Sequence, residues 1–202
     1  MNLQSVYGLF AQGVIVAALI RFVRVLTGHA KAKPHGIELW LPVMLLLAGS
    51  AEGVTFAGHL RGLWGDPSIV TLLLLFLFTL QPSWLPSRPR PTTCLLITLL
   101  VAVPLYGPML LPVPTVQDNL YAIGWQPWSL LIAITLGALI MWRSLQRTWL
   151  NIIALALLAY AGRLMESDNL WDYLVDPGLL VTIAFLGFTG IWISLQRRLK
   201  AI

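Results

Sequence analysis

Apolar residues along this chain fall into seven stretches separated by short polar breaks. The stretches run Val6–Leu26, Ile37–Leu60, Ser68–Leu85, Thr92–Leu111, Trp125–Trp142, Trp149–Met165 and Gly178–Leu195. Most approach the roughly 20 residues that a helix needs to cross about 30 Å of hydrocarbon. The third and sixth are shorter. Lipid offers a backbone no hydrogen-bonding partner, so each stretch is expected to be a helix. The breaks carry Lys33-Pro34, Asp66-Pro67, the run from Pro82 to Pro91, Pro112 with Pro114, and Asp176-Pro177-Gly178. Pro42, Pro104 and Pro108 fall inside stretches, where proline kinks a helix.

Charge orients all seven stretches at once. Arg21, Arg24, Lys31, Lys33, Arg88, Arg90, Arg143, Arg147, Arg197, Arg198 and Lys200 follow or end the odd-numbered stretches. Of the 13 basic residues, only Arg61 and Arg163 fall on the other side. Of the eight acidic residues, only Glu38 falls on the basic side. Basic flanks stay cytoplasmic, so the N-terminus is expected outside and the C-terminus inside. Tryptophans fall near both boundaries: Trp40, Trp84, Trp142, Trp149 and Trp192 on the inner side, Trp64, Trp125, Trp128 and Trp171 on the outer. Two aromatic belts fit a membrane with an interface on each side.

Composition agrees with this reading. The chain of 202 residues is 58% hydrophobic and 10% charged, against about 25% charged in average soluble domains. So much apolar surface does not fit into one water-soluble core of this length. The net charge of +5 does not indicate nucleic-acid binding, because the basic residues cluster at the ends of stretches and form no stripe with interleaved aromatics. The single cysteine, Cys94, allows no intrachain disulfide and no cysteine metal cluster. No basic residue precedes the first stretch, so it is expected to stay as the first membrane helix rather than act as a cleaved leader. Leu136-Gly137 through Gln146-Arg147 aligns with Leu186-Gly187 through Gln196-Arg197. Two origins fit: a duplicated hairpin, as in many transporters, or a shared interfacial ending of inward-going helices.

Candidate chemistry is sparse. Glu52 lies deep in the second stretch, where an ionised group costs at least about 2.5 kcal/mol and usually faces a cavity or a partner. His59 follows two helical turns later on the same face, and Arg163 lies at a compatible depth near the end of the sixth stretch. Glu52, His59 and Arg163 are therefore a candidate polar intramembrane site, either opening outward or holding two helices together. Gly49, Gly53 and Gly58 mark the second stretch as a close-packing helix. Glu38 is placed to meet Arg21 or Arg24, both of which can instead snorkel to headgroups. After the sixth stretch, Ser167 is a candidate helix cap. Asp168, Asp172 and Asp176 follow at four-residue spacing as an acidic outer face, solvated or attracting a cation, although Ca²⁺ needs six to eight oxygens from a tight loop.

The seventh stretch holds no lysine for a retinal Schiff base, and His29 and His35 fall in the first inner loop, which leaves no facing pair for haem. No G-x-S-x-G, H-E-x-x-H or Walker sequence occurs. Cys94, at the start of the fourth stretch, is expected to be a buried thiol. The expectation is an all-α, single-domain bundle of seven membrane helices over 1–202, without metal or cofactor, in a cell membrane of bacterial inner-membrane type. The leading functional reading is a non-catalytic subunit or scaffold, in contact with the bilayer and with other membrane proteins or its own copies. A small transporter or channel using Glu52, His59 and Arg163 is the alternative, and a membrane-bound enzyme or sensor is the third.

Overall fold

The computed structural model describes residues 3–27, 55–80, 83, 85, 90–110, 120–142 and 147–199. The fold is all-α. Among the described residues the helices are α1 (Leu3–Leu26), α2 (Phe56–Trp64), α3 (Ile69–Leu80), α4 (Pro91–Leu110), a 3₁₀ turn (Ala122–Trp125), α5 (Trp128–Met141), α6 (Arg147–Ala161), α7 (Leu170–Leu174) and α8 (Pro177–Leu199).

Their ends follow local chemistry. Thr55 caps α2 by accepting from the Gly58 N–H at 3.0 Å. Gly65, at φ 77°, closes it, and its N–H bonds the Arg61 carbonyl. Glycine is suited to that position because a Cβ disfavours positive φ. Asn169 caps α7 through the Trp171 N–H at 2.9 Å. Asp176 caps α8 through the Leu179 N–H at 2.8 Å, with Pro177 as first helical residue, where its missing N–H costs nothing. α4 continues through Pro104 and Pro108.

Of the described helices, α1 and the Pro177–Gln196 part of α8 are long and apolar enough to cross a membrane. Ile69–Leu80, Pro91–Gly107, Trp128–Leu139 and Arg147–Ala161 are apolar but shorter.

The core joins Tyr7, Ala11 and Val14 of α1 to Ile69, Val70 and Leu72 of α3, Ile152 and Ala156 of α6, and Leu170, Tyr173 and Leu174 of α7. Small residues let α4 and α8 approach separately. A Cβ on Gly187 would come 2.7 Å from Leu95 Cδ2, and one on Gly190 would come 2.4 Å from Pro91 Cγ. The two copies of the sequence repeat have different surroundings. Gly137 in α5 has open space where Gly187 in α8 meets Leu95.

Candidate functional site

The starts of α1, α3 and α8 and the ends of α2 and α6 meet at one end of the bundle, together with the 3₁₀ turn and α7. There the polar residues collect into a cap.

Arg61, in the last turn of α2, is its hub. Nε and Nη2 donate to the two carboxylate oxygens of Asp66, each at 2.8 Å. Nη2 also lies 2.8 Å from Glu166 Oε1. The fork is possible because the chain reverses at Gly65, bringing a residue five positions on back over the helix end. It rests directly on Gly8 of α1. Asp66 is 10% exposed and Glu166 61%, so Asp66 is the desolvated partner and Glu166 reaches in from solvent. The hydrogen bond to Asp66 pushes the Arg61 pKa up, burial opposes it, and Glu166 adds to the rise.

Asp176 ties two helices together. Beyond capping α8, it accepts from the Ser68 N–H at 2.9 Å and from the Thr71 hydroxyl, both at the start of α3. Asp172 of α7 accepts the Tyr121 hydroxyl at 3.0 and 3.1 Å and the Ser167 hydroxyl. Burial first, then the charge of Asp172, pushes the Tyr121 phenol up to about 12. Asn169 Nδ2 and Trp171 Nε1 donate to the Tyr121 and Leu120 carbonyls, docking α7 against the 3₁₀ turn. From α1, buried Gln12 donates to the Gly65 carbonyl at 2.9 Å, Tyr7 to the Pro67 carbonyl at 2.6 Å, and Gln4 to the Met165 carbonyl at 3.2 Å.

A cavity of about 650 Å³ opens within this cap. Arg61, Asp66, Glu166, Asp172 and Asp176 supply its charge, and Leu9, Tyr106, Met165 and Val175 its apolar wall.

The residues singled out from sequence are distributed as follows. Glu52, Gly49 and Gly53 lie outside the described residues, and so does any pairing of Glu52 with Arg163. Gly58 lines the cavity. His59 is exposed on α2, its Nδ1 3.1 Å from the Thr55 carbonyl. Arg163 is exposed with φ 50°. Its N–H bonds the Tyr160 carbonyl and the Leu164 N–H bonds Ala159, a helix-ending motif in which the left-handed position usually holds glycine. Asp168 is exposed, whereas Asp172 and Asp176 are half-buried and held by donors from other segments. Four-residue spacing does not put all three on one helical face, because α7 ends at Leu174 and Asp176 lies beyond it, after the extended Val175. Ser167 does not cap α7; Asn169 does, while the Ser167 oxygen accepts from the Asn169 N–H.

Sequence reasoning missed the Arg61–Asp66 fork and the Asp176 tie. One signal was available for each. Arg61 is one of two basic residues on the acidic side, and Asp176-Pro177 reads as a helix cap followed by a first-turn proline.

No group of three His, Cys, Asp or Glu that could hold a metal ion occurs among the described residues. Cys94 is buried in the first turn of α4, about 18 Å along the helix from the level of Tyr106. No protein-family profile, no curated protein and no solved structure matches the chain.

Proposed function

We propose that this chain is a multi-pass membrane protein of seven spans, with its N-terminus outside and its C-terminus cytoplasmic, acting as a non-catalytic subunit or scaffold. The observation that carries the reading is the apolar surface left uncovered along α4, α5 and α8. Leu99, Leu100, Ile132, Leu139, Phe185 and Phe188 are all exposed, and Trp128 is 77% exposed. Surface of this kind calls for lipid or a partner rather than water. A core helix of a soluble protein would be mostly buried, yet only 33% of the apolar window of α1 and 12% of that of α8 are buried. Collecting the polar groups at one end while the helix flanks stay apolar fits an interface on that side of a bilayer. The cap's many internal hydrogen bonds fit a structural closure, which favours the subunit reading over catalysis.

Paired reporters test the topology. A fusion at the C-terminus should be active only in the cytoplasm, and a tag at Met1 should be reached from outside. Two cytoplasmic ends would overturn the seven-span count. Copurification in mild detergent tests the subunit reading: a defined membrane-protein partner supports it, and a chain that runs alone in several detergents speaks against it. The cavity in the cap favours a second reading, a small solute transporter, which predicts flux in proteoliposomes without any partner.

A further inference from the structure

Among the described residues, the charges around the cavity do not balance. The Arg61 guanidinium is engaged by Asp66 and Glu166. Asp172 and Asp176 are held by neutral donors: hydroxyls of Tyr121, Ser167 and Thr71, and backbone N–H groups of Ser68 and Leu179. Neutral donors orient a carboxylate but do not cancel its charge. Two negative charges therefore border a cavity of about 650 Å³ whose remaining wall includes Leu9 and the Tyr106 ring. Small-molecule sites run to about 300–1,000 Å³ and combine an apolar wall with a few polar groups. An aromatic ring adds attraction for a cation.

We infer that this cavity binds an organic ammonium ion, its charged head between Asp172 and Asp176 and its apolar body against Tyr106 and Leu9. A free amine and the amine headgroup of a phospholipid share this chemistry. The inference rests on the membrane reading only in placing the cavity at headgroup level.

The test uses the full chain in nanodiscs of phosphatidylglycerol, a lipid without an amine. Phenethylamine and its uncharged counterpart phenethyl alcohol are titrated, and the melting temperature is followed. Phenethylamine should raise it saturably, as a ligand that binds the folded state does, and the alcohol should not. Gly62→Leu should abolish the rise. Gly62 lines the cavity, and a Cβ there meets nothing within 4 Å, so a leucine at the cavity wall displaces no protein atom. If that variant fails to fold, the comparison of amine with alcohol on the unaltered chain still decides. A second set of discs containing phosphatidylethanolamine identifies the source. A smaller phenethylamine response there supports headgroup occupancy, and an equal response supports a free amine. Equal shifts by amine and alcohol, no shift, or a response that survives Gly62→Leu would overturn the site. A chain that does not enter discs would overturn the membrane reading and the headgroup placement with it, an outcome seen before any ligand is added.

Discussion

Gly8 of α1 lies directly against the side chain of Arg61: a Cβ built on Gly8 would fall 2.3 Å from Arg61 Nε and 2.6 Å from Asp66 Oδ1. The arginine can move aside only by leaving its carboxylate. Gly8→Ala should therefore destabilise the chain by about 1–2 kcal/mol, despite alanine's better helix propensity. In an Arg61→Met background the same change should cost much less, because contacting residues are not additive. Thermal unfolding of the four variants in detergent measures the coupling; equal costs in both backgrounds would remove the contact from the account.

Within the fork, the three charges should rank by burial. Arg61→Met leaves Asp66 charged and poorly hydrated, at a cost of about 3 kcal/mol. Adding Asp66→Leu should recover most of that loss, since the uncompensated charge goes with it. Glu166→Gln should change stability by no more than about 0.5 kcal/mol, because an exposed pair is screened by water. The reverse order, with Glu166 costing most, would mean that the bridge from solvent holds the cap.

Arg163 occupies a left-handed turn that glycine adopts without penalty. Arg163→Gly is expected to leave the fold intact and to raise stability by up to about 1 kcal/mol. An intramembrane partnership with Glu52 demands the opposite, a clear loss. The sign of the change in melting temperature decides whether this position matters for its backbone or for its guanidinium.

Alkali should open the cap through Tyr121. Its phenol is pushed up to about 12, above the ordinary tyrosine value, by burial first and by Asp172 second. A raised folded-state pKa gives stability that is complete below the unfolded value and lost as pH rises through the folded one. The melting temperature should therefore hold up to pH about 10 and fall between about 10 and 12. A tyrosinate absorbance titration of Tyr121→Phe should lack one late-ionising component.

The helices were more legible than the cap, except in the stretch Ile37–Leu60: Thr55 is extended, a helix starts at Phe56 and runs on to Trp64, and helical spacing does not extend back from His59 past Thr55. α1 covers the stretch Val6–Leu26, starting at Leu3, and α4 begins within a residue of the expected Thr92, because Pro91 suits the first turn of a helix. α6 ends earlier than the stretch Trp149–Met165: the helix stops at Ala161, and Leu164 and Met165 turn towards the cap. The Ser68–Asp176 bond spans 108 positions and the Tyr121–Asp172 bond 51. Periodicity within one element carries no information about such partners. Arg61 and Asp66 are only five apart, but their meeting depends on the turn at Gly65, and a helical reading that stops at Leu60 does not extend to it. The acids after Ser167 looked alike in sequence and differ in the fold because α7 is five residues long.

The bond from Gln4 to the Met165 carbonyl joins positions 161 apart, and the cap also draws on Ser68, Tyr121 and Asp176. A ribosome delivers these pieces in order, so Gln4 is made long before its Met165 acceptor, whereas the acceptors of Gln12 and Tyr7, Gly65 and Pro67, follow 53 and 60 positions on. Arrival of the segment from Met165 to Leu179 supplies the remaining acceptors and caps α8 in the same step. The cap thus closes late: a chain stalled or truncated before Asp176 lacks the acceptor that receives the Ser68 N–H and the Thr71 hydroxyl at the start of α3.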